Sequence, residues 1–347
     1  MDEPVAVRSD VENSPVQPPG DQPPRTMCGH PLVDAIRSTV RSVVVGMDEV
    51  VDRTLIALPT GGHLLLQGVP GVGKTLLVSA VARAIDLQFG RVQFTIDLLP
   101  ADIIGSEVLD QKSGQFHVNR GPIFTNLLLA DEINRAAPKV QSALLEAMQE
   151  RKVTIGKETL VLPAPFLVIA TQNPVEQSGT FELPEAQIDR FMMCHRIDYP
   201  SRSEEIRILE QSLSLGLARR ESGAVPQTAF DLIENESASN IEDLVEAMEL
   251  VQKVYVSPVF TDHCVELVRR TRESVHVELG GSPRAGIALV TAARALAFIQ
   301  GRDHVVPDDL FALAEDMLLH RMRITYEALA EGMTGRTVLG EIMKSLG

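Results

Sequence analysis

The sequence predicts an α/β protein: an αβα core built on a parallel sheet, followed by a smaller all-helical domain. Three observations predict it. Short apolar runs at His63–Gln67, Leu127–Ala130 and Phe166–Thr171 alternate with helical stretches, the pattern of strands buried on both faces. Each run ends in glycines or polar residues, and such sheets place their ligands at the carboxyl ends of the strands. After Tyr199-Pro200-Ser201 no strand-like run follows, and apolar residues recur at helical spacing.

Taken in order, residues 1–28 hold six prolines and few large apolar side chains. Such a segment buries too little surface to offset its ordering entropy, so a disordered tail is expected. Residues 29–200 read as the αβα domain and 201–347 as the helical one. A helix is expected from Lys74 to about Ile85. Another spans Lys139–Glu150, with Val140, Ala143, Leu144, Ala147 and Met148 apolar. Val153, Ile155, Leu160 and Leu162 flank Gly156-Lys157, which reads as a hairpin. In the second domain, Ile241, Leu244, Val245, Met248, Val251 and Val254 recur at helical spacing behind an Asn240 cap, and Pro307 opens a further helix.

The chain has 347 residues, 44% of them apolar, which suffices for a sizeable core. Aromatics make up 4% and Trp is absent, which argues against a base-stacking or sugar-binding surface. A net charge of −15 repels phosphate backbones and makes broad nucleic-acid binding an unfavourable reading. The three cysteines, Cys28, Cys194 and Cys264, are scattered and odd in number, which suits a reducing compartment. With a polar, acidic start and no long apolar run, neither a signal peptide nor a membrane span is expected, and the location reads as cytoplasmic.

Gly68-Val69-Pro70-Gly71-Val72-Gly73-Lys74-Thr75 matches the phosphate-binding loop, between a strand and the helix that runs from Lys74 through Leu76. Glycines let the backbone curl so that its N–H groups face the phosphates at the positive end of the helix. Lys74 then reaches the terminal phosphates, and the Thr75 hydroxyl ligates Mg²⁺. Asp131 closes the second run and is placed to hold the Mg²⁺ shell. Glu132 is placed to deprotonate the attacking water, a group that hydrolysis of ATP requires and mere binding does not. Asn173 ends the third run. If that strand lies between the other two, Asn173 faces the terminal phosphate. Arg190 and Arg284 are candidates to neutralise transition-state charge.

These blocks resemble the MoxR family of AAA+ ATPases. The resemblance rests on Asp131-Glu132-Ile133-Asn134-Arg135-Ala136, Gln141–Glu150, Ala170–Pro174 and Leu183–Phe191, with Gly62–Thr75 as the opening block. It covers about residues 31 to 345 and implies an AAA+ αβα domain with a helical lid, assembled as a hexameric ring with ATP between subunits. Lys74 and Thr75 then match Walker A, Asp131 and Glu132 Walker B, Asn173 sensor 1 and Arg284 sensor 2. Arg190 best matches the finger that acts on the neighbour's ATP, with Arg135 and Arg196 as rivals, and Val45-Gly46 falls where the family contacts adenine. Gly105, Gly114 and Gly121 look like the helix-2 insert, and Lys152–Leu162 like the pre-sensor-1 hairpin. The family implies a chaperone acting on a protein client, often beside proteins with von Willebrand factor A domains, in maturation or metal insertion.

Two other classes stay open on sequence grounds. Arg151, Lys152 and Lys157 would suit a DNA-linked motor such as a helicase or restriction translocase. The same catalytic residues would also serve a nucleotide-dependent scaffold or switch.

Overall fold

A computed structural model of the protein describes residues 29–69, 71–112, 114–173, 179–220, 223–233 and 237–346. The expected tail 1–28 and Pro70 lie outside them. In chain order the strands are β1 (Leu64–Gly68), β2 (Phe89–Gln93), β3 (Gly105–Leu109), β4 (Phe116–Arg120), β5 (Leu127–Asp131), β6 (Lys152–Ile155), β7 (Glu158–Val161), β8 (Leu167–Gln172) and β9 (Met193–Ile197). Four short strands follow: β10 (Leu217–Arg220), β11 (Gly223–Pro226), β12 (Val277–Leu279) and β13 (Arg323–Ile324). The helices are α1 (Pro31–Val43), α2 (Asp48–Thr60), α3 (Lys74–Ala84), α4 (Pro100–Ile104), α5 (Pro138–Glu150), α6 (Glu185–Ile188), α7 (Arg202–Ser214), α8 (Ile241–Lys253), α9 (Pro258–Glu273), α10 (Pro283–Ile299), α11 (Pro307–Leu318), α12 (Tyr326–Ala330) and α13 (Gly335–Lys344).

Five strands pair in the order β2-β5-β8-β1-β9, and every pairing is parallel. Alternation along each strand sorts the side chains into two layers. Leu64, Leu66, Leu127, Leu129, Leu167 and Ile169 join one buried cluster with α1, α2 and α3. Leu65, Leu128, Ala130, Val168 and Ala170 join the other with α5. This is the three-layer αβα core. The expected hairpin, β6–β7, and the pair β3–β4, where the helix-2 insert was expected, stand outside the sheet as separate antiparallel pairs.

Beyond β9 the chain is helical, as expected, and α8 carries its predicted cap, with Asn240 Oδ1 accepting from the Asp243 N–H at 3.0 Å. The expectation of no strand there is corrected in detail. β10–β11 and β12–β13 form two short antiparallel ribbons. They hold four residues or fewer per strand, too short for a period-two signal to stand out in the sequence. The lid docks through α10 on α2 and α11 on β9. Arg321, just after α11, is 6% exposed. It donates to Asp189 Oδ1 at 2.7 Å and to the Phe191 and Met192 carbonyls at 2.8 and 3.3 Å. A second pin joins Arg53 of α2, Asp316 of α11 and His195 of β9.

Candidate active site

β1 delivers the chain into the glycine loop. Gly68 has no room for a side chain, since a Cβ there would lie 2.5 Å from the Ile197 carbonyl. Gly71 and Gly73 hold φ of 83° and 89°, a conformation that suits glycine, and open space surrounds both. Gly73 is the N-cap of α3. No side chain caps that helix and no acidic residue sits in its first turn. The first N–H groups and the positive helix end are therefore left for an anion. Lys74 Nζ folds back onto the Gly68 and Val69 carbonyls at 2.9 and 3.2 Å. Burial pulls its pKa down, opposed by the charges of Asp131 and Glu132. Thr75 follows in the same turn, and the Leu76 side chain packs against the core.

β8 lies between β5 and β1, the order that the reading of Asn173 required. Asp131 ends β5 and is 9% exposed. Its Oδ1 accepts from the Thr171 hydroxyl and its Oδ2 from the Arg91 guanidinium, each at 2.7 Å. Glu132 follows with φ 57°, a strained setting for a residue with a Cβ. Its N–H donates to Thr171 Oγ1 at 2.8 Å. Its carboxylate accepts from Gln93 Nε2 at 2.8 Å and pairs with Arg135 Nε at 3.2 Å. Asn173 is buried just past β8, and its carbonyl accepts from Asn134 Nδ2 at 3.3 Å.

Beside the loop, Val45 and Gly46 line a cavity of about 290 Å³ with Val72, His195, Arg196, Ile197, Tyr199 and Glu204. It adjoins the glycine loop through Val72. Arg190 and Arg284 lie elsewhere. They share an open cleft of about 390 Å³ with Gly62, His63, Arg151, Asp189, Met192 and Arg321. Gly62 and His63 precede β1, and Met192 precedes β9, so this cleft opens at the amino ends of strands whose carboxyl ends carry the loop. At about 3.3 Å per residue, the five residues of β1 separate the two by about 16 Å. Within the cleft Arg284 lies 3.8 Å from Asp189. Burial drops the His63 pKa to about 4. The ring stays neutral, with Nδ1 accepting from the Val168 N–H at 3.0 Å and Nε2 donating to the Met148 carbonyl at 3.1 Å.

Comparison with known proteins shows the family and the fold. The family described as "ATPase family associated with various cellular activities (AAA)" matches residues 63–193, and "AAA lid domain" matches residues 269–342. Chaperone MoxR1 of Mycobacterium tuberculosis is 40% identical over 338 residues, which covers 95% of this chain and 85% of that protein. The chain belongs to the MoxR family of AAA+ ATPases. Another relative, the uncharacterized protein YeaC of Bacillus subtilis, is 43% identical and covers 91% of this chain and 95% of its own. A crystal structure of a Cytophaga hutchinsonii protein superposes with a TM-score of 0.80 at 41% identity, covering 90% of this chain and 93% of that one.

Set in the MoxR fold, the three arginines named as finger candidates separate. Arg135 is paired in cis with Glu132. Arg196 lines the Val45–Gly46 cavity and pairs with Asp198 at 3.5 Å. Arg190 is the one of the three in the distant cleft. Thr171, Arg91 and Gln93 were not legible as site residues. The signal for Gln93 is its register, since it faces Asp131 across β2–β5, and register requires knowing which strands are neighbours.

The glycine loop with open space at Gly71 and Gly73, an uncapped helix start and an acidic strand end fit a magnesium-bound triphosphate. Lys74, Thr75 and Asp131 would hold it, with Val45 and Gly46 beside the base.

Proposed function

We propose that this MoxR-family chain hydrolyses ATP at sites shared between neighbours in a ring, and that the cycle remodels a protein client. The observation that carries this reading is the separation of the loop from Arg190 and Arg284 by the length of the sheet. Within one chain's core, β1 holds the loop and Arg190 at opposite ends of the sheet, which keeps Arg190 from a triphosphate on its own Lys74. A head-to-tail neighbour can bring the two together, and heterologous contacts of that kind close into rings. Six subunits follow from the family resemblance. So do a von Willebrand factor A domain partner and a role in maturation or metal insertion, and the name Chaperone MoxR1 supports a client-directed activity.

The chemistry follows from the side chains. Lys74 leaves its two loop carbonyls and turns its ammonium to the β- and γ-phosphates. The magnesium ion, when bound, neutralises phosphate oxygens and is held by Thr75 and Asp131. Thr171 fixes both Asp131 and the Glu132 backbone. Glu132, aimed by Gln93 and Arg135, accepts the proton of the attacking water. Asn173 at the end of β8 orients that water. Arg190 and Arg284 of the adjacent subunit answer the charge that develops on the transferred phosphoryl group.

Replacing Glu132 with Gln keeps shape and removes the base. The expected result is unchanged ATP affinity with turnover lower by about 10²–10⁴-fold. Hydrolysis at the original rate would overturn the role given to Glu132.

A further inference from the structure

The cleft at the amino ends of β1 and β9 is lined by four arginines, Arg151, Arg190, Arg284 and Arg321, against one carboxylate, Asp189. That carboxylate is already engaged by Arg321 at 2.7 Å and by the Ser282 hydroxyl at 3.1 Å. His63, in the same wall, is neutral. Neither the Arg151 nor the Arg190 side chain has a hydrogen-bond or ion-pair partner among the described residues. A chain of net charge −15 thus concentrates unanswered positive charge in one open cleft.

Arg151 reaches the cleft from an unusual place. It is the C-cap of α5, with φ 53° and ψ 25°, and its N–H closes the helix on the Ala147 carbonyl at 2.9 Å. Glycine is the residue that suits this left-handed position, and a side chain there costs about 1 kcal/mol. An arginine held in that conformation, and aimed at the cleft of Arg190 and Arg284, is strained where a glycine would cap the helix better.

We infer that Arg151 is a third guanidinium of the shared site, contacting the triphosphate held on the neighbouring chain's Lys74 loop. The inference rests on the ring reading above and adds a residue to it.

The test uses Arg151→Gly, which relieves the backbone and deletes the charge, and Arg151→Lys, which keeps a charge but loses the planar fork. A pure helix-capping role predicts that Arg151→Gly unfolds at higher temperature and hydrolyses ATP as before. The inference predicts the higher unfolding temperature, but turnover reduced by about tenfold or more in Arg151→Gly, with partial activity in Arg151→Lys. Mixed with Lys74→Ala chains, Arg151→Gly chains should regain part of the turnover, because some intact loops then meet an intact cleft. Arg190→Ala mixed with Lys74→Ala runs alongside. Unchanged turnover in Arg151→Gly overturns the inference, as does recovery in the Arg190 mixture alone. Recovery in neither mixture overturns the shared site itself.

Discussion

Both carboxylate oxygens of Asp131 are held by the chain itself, one by Thr171 and one by Arg91. Thr171 also takes the Glu132 N–H, so a single hydroxyl sets the positions of both Asp131, the proposed magnesium ligand, and Glu132, the proposed base. Replacing Thr171 with Val keeps the volume and leaves a buried N–H and a carboxylate oxygen unanswered. The expected cost is about 1–3 kcal/mol in denaturant unfolding, and turnover should fall with it; a variant as stable and active as the original would contradict the role. His63 supplies a pH prediction. Its folded pKa, about 4, lies below the unfolded value of 6.5, so the unfolded chain binds the extra proton between them. Its contribution is therefore complete above pH 6.5 and is lost as pH falls from there toward 4. His320, buried and also pushed well below its usual value by burial, acts in the same direction. Urea unfolding followed from pH 7 to 4 should show this slope, and His63→Gln should reduce it. The phosphate loop and the acidic pair were legible in the sequence because their spacing is local. Thr171 stood in a recognised run, yet its task depends on a partner strand that no local pattern names.

Among the elements, the lid is held to the core by a buried arginine that sequence alone did not single out. Arg321 answers the Asp189 carboxylate and four backbone carbonyls on both sides of the junction. Arg321→Leu takes the main partner from half-buried Asp189, which keeps Ser282 and Arg284 nearby, a loss of about 1.5–3 kcal/mol. Calorimetry should show either a lower single transition or a lid that melts first. An unchanged melting profile would contradict the pin. The strands with continuous apolar runs were read correctly because burial on both faces writes itself into composition. β2 was not. As an edge strand with Phe89 and Arg91 turned outward it reads FGRVQ, and only Val92 is buried. The ribbons of the lid escaped for a related reason: strands this short are set by the chain reversals around them and not by periodicity.

For the whole molecule, the ends of the sheet carry the argument. A parallel sheet gives each strand the same polarity, so a residue just before a strand and one just after it face opposite ends. Arg190 precedes β9 and Lys74 follows β1, and that much was readable once both strands were placed. The gathering of Arg151, Arg190 and Arg284 in one cleft was not, since it depends on how the lid folds back onto α2. The most direct measurement is ATP turnover by Lys74→Ala and Arg190→Ala proteins, alone and mixed in equal amounts. Each variant alone should be inactive, and the mixture should recover part of the original rate through sites pairing one chain's Lys74 with the other's Arg190. A mixture as inactive as its components, with both variants folded and assembled, would contradict a site shared between neighbouring chains.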